Sequence, residues 1–232
     1  MPALFLMDSV VSGISICTHG LAAMLLAAAT MQAHAQAASS PSQRGAQIAQ
    51  SGGQQGVPAC VSCHGAQGEG NGDIYPPLAG QPAAYLQRQL EAFASNLRKN
   101  PQMAPIAKGL TEQERVDVAA FYASLPSPVR PVQGPLPTSK DGNGAWLAER
   151  GRWEAGIPAC SKCHGPGGAG VGNDFPAIAH LSEGYMNAQV KAWNAGSRDA
   201  GPLGLMGSVA KKLTAQDIAD VAAYYRALQQ SQ

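Results

Sequence analysis

Residues 60–70 read CVSCHGAQGEG, and residues 160–170 read CSKCHGPGGAG. Set one above the other, the two stretches extend into a longer match. Gly56, Pro58 and Ala59 meet Gly156, Pro158 and Ala159; Gly65, Gly68, Gly70 and Gly72 meet Gly165, Gly168, Gly170 and Gly172. Tyr75-Pro76 meets Phe175-Pro176, and Tyr85 meets Tyr185. Further on, at an offset of 103, MAPIAKGLTEQERVDVAAFYASL from Met103 meets MGSVAKKLTAQDIADVAAYYRAL from Met206. Self-similarity on this scale marks a duplicated domain. Each copy is near the size at which a small apolar core needs a disulfide, a metal or a large cofactor to hold it.

A Cys-x-x-Cys-His motif admits four chemistries. Two Cys-x-x-Cys pairs could give zinc four thiolates. A thioredoxin-type redox pair needs a β-α-β setting, and no stretch here alternates as a strand does. A disulfide between residues three apart closes too small a loop to stabilise much. In the fourth, both thiols form thioethers with haem vinyl groups and the adjacent histidine ligates the iron. Only this last reading accounts for the histidine in both copies. It also requires a second axial ligand. Met103 lies 39 residues after His64, and Met206 lies 42 after His164. Each sits in a Gly/Pro-rich stretch before the last helix, outside any expected helix. Met186 aligns with Leu86 inside a helical stretch and reads as core.

The chain has a formal net charge of +1 and no block of like charge, which argues against a nucleic-acid partner. Leu21–Thr30 is a short apolar run followed by a small-x-small site ending at Ala35, the pattern of an export signal. No Lys or Arg precedes that run; only Asp8 and His19 do. The expected organisation is a cleaved signal over 1–35, a first domain over 36–125, a linker over 126–143 and a second domain over 144–232. The linker stretch PSPVRPVQGPLPTSKDGNG holds five prolines and three glycines and reads as an extended, fairly stiff connector. After the signal, the four remaining cysteines all belong to the two motifs, which leaves none for other chemistry.

The expected architecture is all-α. Helices are expected over about Gln43–Ser51 and Gly144–Trp153, over Pro82–Leu97, and from Thr111 onward. Thr111 with Glu114, and Thr214 with Asp217, form capping-box patterns. Pro76, Pro77 and Leu78, with Pro176, Ala177 and Ile178, read as haem-pocket wall. Tyr85, Tyr185, Trp146, Trp153 and Trp193 read as core or haem-edge packing. Arg88 and Arg98 read as a solvated helix face in preference to partners for haem carboxylates. His180, which aligns with Gly80, reads as a surface or supporting histidine.

These motifs, the methionine segments and the terminal VAAFY and VAAYY resemble dihaem class I cytochromes c, and the cytochrome c4 family in particular. The resemblance spans about residues 40–230. It implies two small helical domains, each around one covalently bound haem c, related by pseudo-twofold symmetry. It implies thioether links from Cys60, Cys63, Cys160 and Cys163, and axial pairs His64/Met103 and His164/Met206. It further implies a periplasmic electron carrier, not an enzyme, working between the cytochrome bc1 complex and a terminal oxidase, with loose association with the inner membrane. The alternative is the electron-accepting haem subunit of a sulfide- or thiosulfate-oxidising dehydrogenase. A dihaem peroxidase would need an open iron and a distal acid-base group, for which only His180 offers itself. The methionine segments PQMAPIA and LGLMGSVA differ, so the two potentials are expected to differ.

Overall fold

Ser40 opens the first helix. Its hydroxyl accepts from the Gln43 amide at 3.2 Å, and the Gln43 side chain accepts from the Ser40 amide at 2.8 Å. With Pro41 in the first turn, this box fixes the start of α1, Pro41–Ser51. In the computed structural model of the protein, residues 39–132, 137–139, 143–201 and 203–230 are described. The expected export signal and parts of the linker lie outside the described residues. After α1 come α2 (Val61–His64), α3 (Ala83–Ala94), α4 (Met103–Gly109) and α5 (Glu112–Ser124). The second copy repeats them as α6 (Asn143–Glu149), α7 (Ser161–His164), α8 (Glu183–Asn194), α9 (Leu205–Ala210) and α10 (Ala215–Gln230). The described residues hold isolated β-bridges but no strand.

In each domain the first helix crosses the last, and α3 or α8 packs beside it. A β-carbon at Gly45 would run into the Asp117 carbonyl, and one at Gly144 into the Asp220 carbonyl. Only glycine lets these backbones touch. Ala49, Leu86, Val118, Ala119 and Tyr122 fill the first core; Leu147, Ala148, Ile157, Val221 and Tyr225 fill the second. The connector does not simply span the gap. Val129 is buried in the second core, and the Arg130 backbone exchanges two hydrogen bonds with the Gln229 side chain.

In each domain an arginine from its first part, Arg44 within α1 and Arg152 just after α6, pairs with a buried aspartate of the last helix, but the two copies build the site differently. In the first, Glu114 completes the cap at Thr111, and Asp117 receives Arg44 at 2.6 and 2.7 Å. In the second, Asp217 does both: it accepts from the Thr214 amide at 2.9 Å and from Arg152 at 2.7 and 3.1 Å. These bonds hold the Asp217 carboxyl down at about 2, although burial works the other way.

The observed helices depart from expectation in places. The stretch 144–153 is broken: α6 ends at Glu149, Gly151 takes a positive φ, and Trp153–Ala155 forms a separate 3-10 turn. The helix expected to reach Leu97 stops at Ala94, because Asn96 adopts a left-handed φ of 61°. Met103 and Met206 lie in helices, not loops. The Asn100 side chain accepts from the Met103 amide at 2.8 Å and so starts α4, whereas left-handed Gly204 starts α9.

The domains meet in a reciprocal seam. The Lys99 amide donates to the Ser197 carbonyl and the Asp199 amide to the Leu97 carbonyl, both at 2.8 Å, so Arg98 and Arg198 pair as an antiparallel bridge.

Asp217→Asn should lower stability by about 2 kcal/mol near neutral pH, since the ionised carboxylate is favoured by roughly two pKa units in the fold. The folded pKa lies below the unfolded one, so this stability is present above about pH 4 and fades as pH falls through about 2. Thermal melts of both proteins across that range should therefore converge in acid.

Candidate functional site

The two Cys-x-x-Cys-His segments are single helical turns. The His64 amide donates to the Cys60 carbonyl at 2.9 Å, and that of His164 to Cys160 at 2.8 Å. Residues three apart share a helix face, so each turn presents its two thiols on one side with the histidine following. All four cysteines are free. Burial pushes the Cys60 thiol up, and the Cys160 thiol up to about 12, so both stay protonated at neutral pH.

What orients each histidine is one hydrogen bond. His64 Nδ1 lies 2.9 Å from the Pro76 carbonyl oxygen, and His164 Nδ1 lies 2.8 Å from that of Pro176. A carbonyl can only accept, so Nδ1 carries the proton and Nε2 keeps a bare lone pair. Burial also lowers the pKa of both rings, which keeps them neutral. Tyr75 and Phe175 meet the two rings edge-on at 6.1 and 6.4 Å.

The glycine-rich loops bring the proline wall to the histidine. The Gly70 amide donates to the His64 carbonyl at 2.7 Å, and the Gly68 carbonyl receives Leu78 at 2.8 Å. The second copy repeats both contacts with Gly170 and Gly168. Gly68 and Gly168 both have a φ of +70°, and a β-carbon there would press on the rings of Tyr122 and Tyr225 at 2.9 and 3.0 Å.

Free thiols on one face, a neutral histidine with an aimed Nε2 and a glycine cradle fit haem c in both domains. Met103 and Met206 are part-buried at the starts of α4 and α9, which pack on α3 and α8. Of the expected wall residues, Ala177 is buried, and Leu78 and Ile178 pack against the cores.

Other expectations are corrected. Arg98 is not on a solvated face; it is 8% exposed, at the seam, because the second domain covers it. Arg88 is more exposed and pairs with Asp174 at 2.9 Å. Tyr85 packs against the first core as expected, and the hydroxyls of Tyr85 and Tyr185 also reach the seam, where they accept from Arg198 and Arg98. Trp153 is 64% exposed, because the break after α6 turns it outward. His180 is part-buried, with both ring nitrogens buried and unpartnered among the described residues, and burial lowers it to about 4. The signal that could have revealed Arg98 was its pairing with Arg198 at the offset of one hundred.

Known proteins agree with this geometry. The Cytochrome c family profile matches residues 42–126 and 148–229. The chain belongs to the cytochrome c family. It is 47% identical over 158 residues to a thiosulfate dehydrogenase electron acceptor of Thiomonas intermedia, covering 67% of this chain and 72% of that one. It is 38% identical over 173 residues to cytochrome c4 of Thiocapsa roseopersicina, covering 74% and 88%. Among solved structures, a thiosulfate dehydrogenase from Marichromatium purpuratum superposes with a TM-score of 0.69 at 39% identity. That match covers 80% of this chain but 40% of the other. Reduced cytochrome c4 from Pseudomonas stutzeri superposes with a TM-score of 0.66 at 27% identity, covering 82% and 100%. This dihaem cytochrome c therefore has two tandem helical domains, binds two haem c groups covalently and transfers electrons.

Denaturing mass spectrometry should find two haems on the wild-type chain. Replacing both Cys160 and Cys163 with Ala should leave one.

Proposed function

We propose that this cytochrome accepts electrons from a thiosulfate-oxidising dehydrogenase in the periplasm and passes them toward a terminal oxidase. In this reading His64 and Met103 hold one iron, and His164 and Met206 the other. Haem supplies the one-electron change at iron; the chain's residues set its ligation, burial and potential. The observation that carries the electron-carrier role is the carbonyl-anchored histidine in both copies. Each histidine offers one fixed, neutral nitrogen, and each methionine a soft thioether that raises the potential. With both positions filled by the chain, neither iron is left open for substrate.

The donor is supported by the likeness to two thiosulfate dehydrogenase electron acceptors, at 47% and 42% identity, and to a solved thiosulfate dehydrogenase chain. The second reading, a shuttle fed by the cytochrome bc1 complex, is supported by the likeness to cytochromes c4 at 38% and 32% identity. Export is supported by the apolar run and the Ala35 site in the sequence. No helix among the described residues is long and apolar enough to cross a membrane. We also take residues 1–35 as the removed segment, and 36–125 and 144–232 as the two haem domains joined by 126–143.

Mixing the oxidised protein with a thiosulfate dehydrogenase and thiosulfate should produce the reduced haem spectrum within the dehydrogenase's turnover time. Reduction by the bc1 complex and quinol, with none by the dehydrogenase, would establish the shuttle instead. Carbon monoxide should leave the reduced wild-type spectrum unchanged. In Met103→Ala or Met206→Ala, one haem of the two should bind it and show a lower potential.

A further inference from the structure

Tyr122 and Tyr225 hold the same place in the two copies, and both lie inside the protein, 1% and 0% exposed. Yet neither hydroxyl has a hydrogen-bond partner among the described residues. Burying a hydroxyl unmet is costly, and phenylalanine would fill the same core without that cost. The residue before each tyrosine shows the contrast. Phe121 has no hydroxyl to satisfy, and the Tyr224 hydroxyl reaches Glu149 at 3.1 Å. Nor is either ring free to swing toward another partner, because the backbone at Gly68 or Gly168 lies against it.

The first cysteine of each haem motif is the neighbour that matters. Cys60 packs against the core that holds Tyr122, and Cys160 against the core that holds Tyr225. The second cysteine of the first motif, Cys63, is exposed. Burial pushes both phenols up, and the nearby Cys60 or Cys160 adds to the effect. Each phenol therefore keeps its hydrogen at neutral pH. A free thiol is a donor too: that of Cys160 points at the Leu147 carbonyl, 3.8 Å away.

Haem attachment changes the sulfur. The thiol adds across a vinyl group, so that sulfur bonds to one vinyl carbon, the thiol hydrogen goes to the other, and no electrons are gained or lost overall. The thioether that remains has lone pairs and no hydrogen, so it can only accept. Each buried phenol has a hydrogen and lacks an acceptor, and the sulfur packed near it becomes one. The haem carboxylates do not compete for this role, since they hang from the edge of the macrocycle opposite the vinyl groups.

We infer that Tyr122 and Tyr225 are positioning residues that donate hydrogen bonds to the thioether sulfurs of Cys60 and Cys160, and that each thereby raises the potential of the haem in its own domain. The positive end of the O–H dipole faces the haem edge and disfavours the more positive, oxidised iron. The inference rests on haem attachment and not on which donor supplies the electrons.

Resonance Raman spectroscopy of the reduced, haem-loaded protein tests this. Full exchange of the wild type into D2O should shift its carbon–sulfur stretching bands. Tyr122→Phe should remove the part of that shift belonging to the first haem and Tyr225→Phe the part belonging to the second, and the double variant should show none. Each single variant should also lower the midpoint potential of the haem in its own domain and leave the other near wild type. Bands that do not move in the wild type would overturn the inference, and that measurement depends on no variant folding. A shift that persists in the double variant would assign the hydrogen to another donor, such as a buried water, and overturn it equally. Potentials that fall while the isotope shift stays intact would leave the tyrosines a packing role and refute the hydrogen bond.

Discussion

The hydrogen bond from each histidine Nδ1 to a proline carbonyl is the constraint from which the rest of each domain follows. It sets the tautomer, and so decides which nitrogen can meet a metal. To make it, the chain must leave the Cys-x-x-Cys-His turn, loop back and lay an extended Pro-containing segment across the histidine within a dozen residues. That return needs left-handed backbone, which the glycines provide. It also needs the loop to sit close on a flat ring, which explains why Gly68 and Gly168 have no room for a side chain above Tyr122 and Tyr225. The tyrosines in turn come from the last helix, which the first helix pins through its glycine crossing.

Comparing the two copies separates what this constraint fixes from what it leaves free. The histidine, its carbonyl partner, the loop glycines and the tyrosine recur with nearly the same distances. The ion pair beneath the last helix does not. The first copy divides capping and pairing between Glu114 and Asp117, while the second loads both onto Asp217 and gives Asp220 to Asn143 at 2.8 Å. Either solution satisfies the helix start and the buried carboxylate, so the geometry of the haem site does not depend on which is used. The methionine segments also diverge. Asn100 caps one through its side chain, and a left-handed glycine starts the other, which places different dipoles near two otherwise similar sites.

Much of this was legible in the sequence, for reasons that lie in the residues. The repeat, the cysteine turns and the Thr111–Glu114 cap are local patterns, and local hydrogen bonds satisfy them. What escaped depended on distant partners. The helical placement of Met103 rests on an asparagine three residues away acting as a cap, a role that a Pro-flanked stretch disguises. Arg98 at the end of a helix looks solvated, and nothing within its own domain says otherwise. Its burial is supplied by Tyr185 and Gln189, ninety residues along the chain. Trp153 failed in the opposite direction, since the break after α6 turned a residue with helical spacing outward.

The seam also explains why the connector can be so rich in proline and glycine. Electron transfer between two centres needs a fixed separation, and a long irregular segment is a poor device for fixing one. Here the separation does not rest on the connector. Paired backbone bonds at Lys99 and Asp199, the crossed arginine bonds and the Arg88–Asp174 pair hold the domains face to face. The beginning of the connector follows that arrangement instead of setting it: Val129 enters the second core as an extra apolar side chain. Most of these contacts recur with the domains exchanged, so one kind of contact made twice orients both sites. A duplicated domain thereby gains a two-centre carrier of fixed geometry by keeping a few seam residues in both copies.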